Sequence, residues 1–394
     1  MPGPGAYWFG KEETDAVMEV MQSGYLFRYG NENDPKFLHK VSSLEKEFAA
    51  YCSADYALAT SSGTSSLLVS LIALDLKPGD EVIVPAYTFV ATYSACIFAG
   101  LVPVLAEIDE SLSLDPDDIE HRITSRTKAI IPVHMLGNPC NMDRIMEIAN
   151  KHGLLVLEDS CQAAGASYKG RKAGTIGHMG AFSLNIFKTI NSGDGGLVVT
   201  NDEKLYERAF GAHDQGHKPN RFGVEVGSRS ILGLNFRMNE ITGAVGLAQL
   251  RKLDAIVATL REKRSKLKSL IAGTGGFKFR TMNDPEGDAA TLCTVVFDTR
   301  EQAVKVTGKL GSKTIDQSGW HVYANMEHVL KYLRKAGQPH TRGSYPRTED
   351  ILSRAMNISV GVVDGGLGAG WGININSTGA EIEKAAREFI DACK

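Results

Sequence analysis

Lys188 is the residue of this sequence best placed to do covalent chemistry. It lies within residues 182–196, among apolar and small neutral side chains, and a glycine-rich turn follows it. Burial disfavours the charged form of an amine and lowers its pKa, and a neutral lysine amine can attack a carbonyl carbon to form a Schiff base. A solvated lysine at a junction of strand and loop has the same local pattern. The chemical interpretation therefore depends on two other stretches.

Those two stretches supply a carboxylate and a phosphate cradle. Residues 154–159 are an apolar run that ends in Asp159, as a buried parallel strand would end. Residues 56–60, 61–66 and 67–74 are typical of a strand, a small-residue loop and a helix, an order that directs backbone N–H groups at a phosphate. Pyridoxal phosphate requires a lysine for its aldehyde, an acid for its ring nitrogen and a cradle for its phosphate. The three stretches together predict a site for this cofactor.

The sequence resembles the DegT-type sugar aminotransferases, which belong to the fold-type I group of pyridoxal-phosphate enzymes. The resemblance extends from about residue 7 to the end of the chain. The matching motifs occur in the family's order and are SGTSSL (62–67), GDEVIVPAYTFVAT (79–92), EDSCQA (158–163), FS (182–183), Lys188, GDGG (193–196) and GLNFRMN (233–239). Each motif is weak by itself, but the ordered set is specific.

The resemblance implies two catalytic roles. Lys188 is expected to bind the cofactor's aldehyde and then to move a proton between the substrate carbon and the cofactor. Asp159 is expected to pair with the protonated pyridine nitrogen, because an adjacent carboxylate favours the cation; the alternative is a strand-end aspartate that caps a helix. A minority of the family are dehydratases with histidine in place of the lysine. The lysine retained here therefore favours amino transfer.

Further residues are expected to bind the cofactor without reacting. Phe89 matches an aromatic residue that stacks on the ring, although core packing would also explain a phenylalanine, and Gln162 matches a neighbour of the ring hydroxyl. The expected phosphate ligands are Gly63, Thr64, Ser65 and Ser183. In the family an asparagine reaches the phosphate of the partner subunit, and Asn235 matches it; the segment could instead be only a helix entry capped by Asn239. We therefore expect a homodimer with shared active sites.

Arg28, Arg237 and His217 are candidate substrate residues. An acidic substrate such as a glutamate donor brings a carboxylate, and the planar fork of arginine suits its geometry. Arg28 could equally be a solvated residue of a packed loop. His213 and His217 lie four residues apart, a spacing that could bind zinc on a helix. Gly216 and the lack of a third nearby ligand argue against a metal, so we expect a loop near the substrate and no metal site.

Of all the properties considered, the identity of the acceptor substrate is the one that the sequence indicates least clearly. Residues 27–29, 133–137, 174–177 and 284–288 resemble the family branch that makes 8-amino-3,8-dideoxy-manno-octulosonate, an eight-carbon amino sugar acid. The expected reaction is transfer of an amino group from glutamate or glutamine to a keto sugar, sugar acid or cyclitol in amino-sugar biosynthesis. The alternatives are a non-catalytic regulatory homologue that binds the cofactor, and a sugar dehydratase or lyase on the same fold.

The composition is that of a soluble globular protein, with 394 residues, 43% hydrophobic and 23% charged residues, and a formal net charge of −3. Without a basic field, neither nucleic acid nor an anionic membrane is an expected partner. The six cysteines are scattered without a CxxC pair, which suits a reducing cytoplasm. The N-terminus lacks a signal-peptide pattern. Residues 82–106 are uncharged and long enough to span a bilayer, but their prolines and polar residues favour a buried strand–helix–strand unit.

Between residues 56 and 200, strand and helix patterns alternate. This alternation predicts an α/β fold with a mostly parallel sheet and helices on both faces. The expected strands are residues 56–60, 81–85, 102–108, 129–134, 154–159, 180–184 and 197–200 in this region, and residues 292–297 further on. Ligands of such sheets bind beyond the carboxyl ends of the strands, where Asp159 is expected to lie.

Two domains are expected. A large cofactor-binding domain would comprise residues 1–250 and a smaller α+β domain residues 251–394, with one long linking helix at about 238–272. A capping box that begins at Thr378 is expected to open the last helix. Residues 361–379 contain seven glycines, which departs from the family pattern. This segment fits either a flexible edge of the active site or a series of tight turns.

Overall fold

The structure is a computed structural model that describes residues 3–219 and 227–394. The strands of the described residues are β1 (Tyr56–Thr60), β2 (Glu81–Pro85), β3 (Val102–Ala106), β4 (Thr127–Ile130), β5 (Leu155–Asp159), β6 (Ser167–Tyr168), β7 (Arg171–Lys172), β8 (Met179–Ser183), β9 (Gly196–Thr200), β10 (Phe277–Phe279), β11 (Leu292–Phe297) and β12 (Ala355–Ser359). The helices are α1 (Pro4–Tyr7), α2 (Lys11–Ser23), α3 (Lys40–Cys52), α4 (Gly63–Ala73), α5 (Val90–Phe98), α6 (Pro116–Arg122), α7 (Met142–His152), α8 (Glu203–His213), α9 (Glu240–Leu250), α10 (Leu253–Ile271), α11 (Arg300–Lys309), α12 (Glu327–Lys335), α13 (Pro346–Arg354) and α14 (Gly379–Cys393).

Seven strands form the central sheet in the order β1-β9-β8-β5-β4-β2-β3. Strands β3, β2, β4, β5 and β8 pair in parallel, and β9 is antiparallel to both β8 and β1. Strand β9 is therefore the one reversed strand of this sheet. The predicted mostly parallel sheet is confirmed, and the carboxyl ends of β1, β5 and β8 lie at the same edge.

The strand bounds agree closely with the sequence pattern. Strands β1, β2 and β11 have the predicted bounds. Strands β5 and β9 differ from them by one residue at one end, and β8 is shifted by one residue at both ends. The prediction for β4 is the least accurate, because the strand ends at Ile130 and not at residue 134. Pro132 has no N–H group and interrupts the ladder, although the Ile131 amide still donates to the carbonyl of Ile83 (2.8 Å).

The uncharged residues 82–106 form β2, α5 and β3, as predicted. Val82, Ile83 and Val84 of β2 are fully buried, because a parallel strand between two layers of helices has apolar neighbours on both faces. Within the described parts of the chain, no helix is long and apolar enough to cross a membrane.

The predicted linking helix is two helices. The expectation of one continuous helix over about 238–272 was wrong, because Arg251 and Lys252 separate α9 from α10. The Lys252 ammonium donates to the Glu13 carboxylate (2.9 Å), which anchors the bend to α2. Helix α9 packs against α2 and α3, whereas α10 packs against α14. The break coincides with the predicted boundary between the two domains, which remains a prediction.

The C-terminal part contains a smaller antiparallel sheet of order β10-β11-β12. The predicted capping box is confirmed at the start of α14. The Glu381 amide donates to Thr378 Oγ1 (3.3 Å), and the Thr378 amide donates to the Glu381 carboxylate (2.6 Å). These bonds satisfy N–H groups that a helix N-terminus otherwise leaves without acceptors.

Candidate active site

A cavity of about 420 Å³ lies at the edge of the central sheet where β5 and β8 end. Strand β5 ends in Asp159 and β8 in Ser183, and both side chains line the cavity. Helix α4 begins at the same place with Gly63. Trp320 and His321 from the C-terminal part complete the wall. The cavity therefore occupies the position predicted for a ligand of a parallel sheet.

Lys188 lines this cavity and is partly exposed to it. Among the described residues, no hydrogen bond or ion pair involves its ammonium group. Burial lowers the pKa of Lys188, and the negative charges of Asp159 and Asp364 oppose that shift. The chemical setting predicted from the sequence is thus present: the neutral, nucleophilic amine is favoured relative to an ordinary surface lysine.

Asp159 is buried at the end of β5, with 3% of its surface exposed. Its Oδ2 accepts a hydrogen bond from Thr92 Oγ1 (2.9 Å), and its Oδ1 accepts one from the Cys161 amide (3.1 Å). These two bonds fix the orientation of the carboxylate. No role was predicted for Thr92, because its contact with Asp159 joins residues that are 67 positions apart in the sequence. The Thr92 hydroxyl also shares a hydrogen bond with the Thr88 hydroxyl (2.8 Å).

The predicted phosphate loop begins α4. Ser62 is its N-cap, and the Ser62 hydroxyl accepts a hydrogen bond from the Ser65 amide (3.0 Å). The amides of Gly63 and Thr64 donate to no acceptor among the described residues, and both residues line the cavity. Such open N–H groups at a helix N-terminus bind phosphate. A Cβ atom on Gly63 would lie 2.6 Å from the Ser183 Cβ, so this close approach requires glycine.

Ser65 corrects the prediction for this loop. It was expected to bind phosphate, but it does not belong to the cavity wall. Its amide donates to the Ser62 hydroxyl, and its own hydroxyl donates to the Ser62 carbonyl (2.8 Å). Ser65 therefore shapes the loop from within. Ser183 keeps its predicted position on the wall, where its hydroxyl accepts a hydrogen bond from the Asn185 amide (3.3 Å).

Phe89 and Gln162 line the cavity, as expected of residues beside the cofactor ring. Phe89 is 38% exposed, which disfavours the alternative of simple core packing. The Gln162 side-chain oxygen accepts a hydrogen bond from the Leu136 amide (3.0 Å).

Trp320 and His321 belong to the same wall, and the sequence analysis missed them. The Thr88 amide donates to the His321 carbonyl (3.0 Å), and the Val90 amide donates to the Trp320 carbonyl (2.9 Å). Burial, and then the charge of Lys188, lowers the pKa of His321 to about 3, so its imidazole is neutral. No periodicity marks these residues, because their position follows from a contact between distant parts of the chain.

Arg28 lies outside this cavity, which corrects the prediction that it binds an acidic substrate there. It is 7% exposed, and its Nη2 donates to both carboxylate oxygens of Glu45 (2.9 and 3.0 Å). His213 Nδ1 donates to the Phe210 carbonyl (2.6 Å), so its Nε2 accepts from Arg28 Nη1 (3.1 Å). Burial, and then the charge of Arg28, lowers the pKa of His213 to about 3. The guanidinium of Arg28 is thus hydrogen-bonded to residues of its own chain.

The other three residues expected near the substrate or the partner's phosphate also lie off the cavity wall. Arg237 pairs with the buried Asp214, which also accepts a hydrogen bond from the Tyr29 hydroxyl (2.7 Å). The His217 amide donates to the Asp214 carbonyl (2.9 Å), and Asn235 is exposed. We call Arg28, Tyr29, Glu45, His213, Asp214 and Arg237 the Arg28–Asp214 cluster. The described residues contain no group of three possible metal ligands.

The residues of the cavity fit pyridoxal phosphate. An amine of lowered pKa, a buried carboxylate and a helix N-terminus with open N–H groups are the groups that this cofactor requires. The fold and the site together define a fold-type I, pyridoxal-phosphate-dependent aminotransferase. The chain belongs to the DegT/DnrJ/EryC1/StrS aminotransferase family, whose model matches residues 9–363.

Known relatives agree with this assignment. GDP-perosamine synthase of Caulobacter vibrioides is 36% identical over 312 residues, which cover 76% of this chain and 79% of the relative. The dTDP-3-amino-3,4,6-trideoxy-alpha-D-glucose transaminase of Streptomyces venezuelae is 33% identical over 360 residues, 90% of this chain and 89% of the relative. The solved structure of an aminotransferase from Psychrobacter cryohalolentis superimposes with a TM-score of 0.82 at 27% identity, covering 98% of this chain and 97% of that chain.

Proposed function

We propose that the protein transfers an amino group from glutamate or glutamine to a keto sugar, sugar acid or cyclitol in amino-sugar biosynthesis. The proposal rests on one observation: a single cavity contains Lys188, whose pKa is lowered, together with Asp159 and the open N-terminus of α4. Two relatives whose names describe a perosamine synthase and an amino-sugar transaminase support a sugar as the acceptor.

Seven residues of the cavity wall have a role in this proposal. Lys188 binds the cofactor's aldehyde, and Asp159 holds a proton on the ring nitrogen. The amides of Gly63 and Thr64, with the Ser183 hydroxyl, bind the phosphate. When bound, pyridoxal phosphate supplies an electron sink for the negative charge that develops as a proton leaves the substrate carbon. Phe89 and Gln162, which line the same cavity, border the ring.

Lys188 is also the residue that would transfer the proton. Its Nζ accepts the proton from one carbon and returns it to another, for which a lowered pKa is an advantage near neutral pH. The Thr92 hydroxyl and the Cys161 amide keep Asp159 oriented throughout. The aromatic rings of Phe89 and Trp320, whose centroids are 6.4 Å apart, form part of the same wall.

The presence of Lys188 also separates this proposal from its alternatives. A family dehydratase has histidine at this position, and non-catalytic homologues usually lose the lysine; this chain retains it. The lysine also lies on the cavity wall without an ion-pair partner among the described residues. A lysine kept only for structure is expected to be solvated or paired.

A half-reaction tests the proposed function. Cofactor-loaded protein is mixed with glutamate, or with glutamine, in the absence of any acceptor. Amino transfer predicts a change in the cofactor absorption spectrum and about one equivalent of keto acid released per site, and a panel of keto sugars, sugar keto acids and inososes should then restore the original spectrum. A protein that binds the cofactor but releases no keto acid with either donor would contradict the proposal.

A homodimer with shared active sites is part of the proposal. Asn235 is exposed beside Leu232 and Leu234, which are 97% and 59% exposed, and Phe27 nearby is 47% exposed. Apolar patches of this kind mark contact surfaces on soluble proteins. In this proposal Asn235 reaches the cofactor phosphate of the partner subunit, and the resemblance to the family supports that role.

Light scattering and subunit mixing test the shared site. An active monomer at assay concentration would end the idea. Lys188→Ala and Asn235→Ala proteins, each inactive or weak alone, should regain activity when their subunits are exchanged, because one of the two sites in a heterodimer is intact. No recovery despite exchange would show that Asn235 serves its own chain.

A cytoplasmic location completes the proposal. The structure describes all six cysteines, and each is free. Free thiols persist in a reducing compartment. Fractionation of the source cells, followed by detection of the protein in the cytoplasmic fraction, is the check; recovery from another compartment would contradict it.

A further inference from the structure

The glycine-rich segment at residues 361–372 is a set of tight turns and not a flexible edge. The Asp364 amide donates to the Ala369 carbonyl (3.2 Å), and the Ala369 amide donates back to the Asp364 carbonyl (2.9 Å). Leu367 is buried in the core. Gly368 has a φ of +69°, and a Cβ atom at this position would lie only 2.8 Å from the Lys313 carbonyl oxygen, so the turn requires glycine here. These contacts close the turn between Asp364 and Ala369 and position its residues.

This turn brings Asp364 to the wall of the Lys188 cavity. Asp364 is partly exposed and lines the cavity together with Val362 and Leu367. Its Oδ1 accepts a hydrogen bond from the Gly366 amide (2.7 Å). Among the described residues, its Oδ2 accepts none. One carboxylate oxygen is thus fixed by the turn, and the other remains available to a ligand.

The described wall of the cavity has a distinct charge pattern. Its ionisable side chains include the carboxylates of Asp159, Asp194 and Asp364, and its cation is Lys188. No arginine of the described residues lines it. Burial, and then the charge of Lys188, holds the His321 imidazole neutral by lowering its pKa to about 3. Lys188 and Asp159 serve the cofactor in the proposed function, and Asp194 accepts a hydrogen bond from the Asn185 side-chain amide (2.9 Å). Among the described residues, Asp364 is therefore the wall carboxylate without a side-chain hydrogen-bond partner, and it is available to the substrate.

We propose that Asp364 binds hydroxyl groups of the acceptor, so that the enzyme selects a neutral polyhydroxylated ring at this end of the cavity. The inference rests on the proposed function. A carboxylate accepts short, strong hydrogen bonds from hydroxyl groups and repels a carboxylate or phosphate. Trp320, which is 57% exposed on the same wall, offers an apolar surface for the C–H face of such a ring. An acidic group of the acceptor must then point away from Asp364.

Asp364→Asn is the variant of choice. Asparagine keeps an oxygen to accept the Gly366 amide, so the turn is preserved, but the negative charge is lost. Asp202→Asn is the matched control, because Asp202 accepts the amides of Lys204 and Leu205 at an exposed helix start away from the cavity. Thermal unfolding of both variants and the parent checks that the fold is retained.

The two half-reactions are then measured separately for parent and variants. The donor half-reaction uses glutamate, and the acceptor half-reaction uses whichever of scyllo-inosose, dTDP-4-keto-6-deoxyglucose or an oxidised 3-deoxy-octulosonate the parent aminates. We expect Asp364→Asn to lower kcat/KM for the acceptor by roughly tenfold to a hundredfold, mainly through KM. The donor half-reaction, the cofactor spectrum and the Asp202→Asn protein should be unchanged.

Three results would overturn the inference. If Asp364→Asn uses the acceptor as well as the parent does, the carboxylate does not bind it. If both half-reactions slow equally, Asp364 acts on the cofactor or the fold and not on the acceptor. If the parent completes the donor half-reaction but aminates none of the probes, the sugar acceptor fails and the inference fails with it; a failure of the donor half-reaction itself would instead overturn the proposed function.

Discussion

The Lys188 cavity and the Arg28–Asp214 cluster both place ionisable groups inside the protein, but they treat those groups differently. In the cluster, Arg28 is matched by Glu45 and Arg237 by Asp214. In the cavity, no described residue pairs with the ammonium of Lys188, whose pKa burial lowers. A buried charge that lacks a partner is costly. We therefore expect the unpaired amine in the cavity to act in catalysis, and the paired charges of the cluster to contribute to the stability of the fold.

This difference also explains why arginine was a poor guide to the substrate. The sequence shows the residue type but not its partner, and Glu45 lies 17 positions after Arg28 on another element. Because the Arg28 guanidinium already donates to Glu45 and to His213, few of its N–H groups remain to bind a ligand. The comparison yields four predictions, from the largest expected effect to the smallest.

Lys188→Ala should abolish turnover. The variant loses both the covalent attachment of the cofactor and the group that moves the proton, so we expect a fall in kcat of roughly 10⁴-fold or more. Stability should change little, since the lysine has no ion-pair partner among the described residues. Lys331→Ala, at an exposed position, is the control. Substantial turnover by Lys188→Ala would contradict the catalytic role of the unpaired lysine, and with it the distinction between the cavity and the cluster.

Arg28→Met should destabilise the fold. Glu45 then keeps a buried negative charge without its partner, which costs about 3–5 kcal/mol of the free energy of unfolding. Denaturant titration measures the change, and Lys11→Ala, from the exposed pair with Asp15, should cost less than about 1 kcal/mol. If Arg28→Met leaves stability intact but weakens the use of glutamate, the substrate role predicted from the sequence is correct after all.

His213 should make stability depend on pH. The pKa of His213 is about 3 in the folded protein, against 6.5 for a histidine in the unfolded chain. Below pH 6.5 the unfolded chain therefore binds a proton that the folded chain does not. The free energy of unfolding should then fall by up to about 1.4 kcal/mol for each pH unit of acidification. Unfolding of the parent and of His213→Gln, compared from neutral pH to about pH 5, should show a shallower slope in the variant. Parallel curves would mean that His213 is not held neutral.

Thr92→Val should have the smallest effect. It removes the hydroxyl that donates to Asp159 Oδ2 but keeps the shape of the side chain. A hydrogen bond to a charged group contributes about 1.5 kcal/mol at the lower end, so we expect a loss of roughly tenfold in kcat/KM. Ser94→Ala, on the same helix, is the control, because its hydroxyl donates only to the Val90 carbonyl. Unchanged kinetics in Thr92→Val would show that the Cys161 amide alone orients Asp159.

The sequence predicted those parts of the molecule that depend on local pattern. The parallel sheet, most strand bounds and the capping box at Thr378 follow from periodicity and turn chemistry. Lys188, Asp159 and Gly63 could be found because they adjoin strand or helix ends that the pattern locates. Their cofactor roles came from the family resemblance.

What the sequence did not predict depends on contacts between distant segments. Trp320 and His321 reach the cavity through bonds to the loop before α5. Asp364 reaches it through glycine turns whose sequence was equally compatible with a flexible edge of the active site. The break between α9 and α10 has no proline or glycine to mark it; the anchoring of Lys252 to Glu13 accompanies it. Each of these features is a property of tertiary packing.

The attachment of the cofactor to Lys188 is the central claim, and chemical trapping tests it most directly. Cofactor-loaded protein is reduced with borohydride, which makes the linkage between lysine and cofactor permanent, then digested and mapped by mass spectrometry. The account predicts that the added mass lies on the peptide that contains Lys188 and that the Lys188→Ala protein carries none. Label on a different lysine, or equal labelling of the variant, would contradict it.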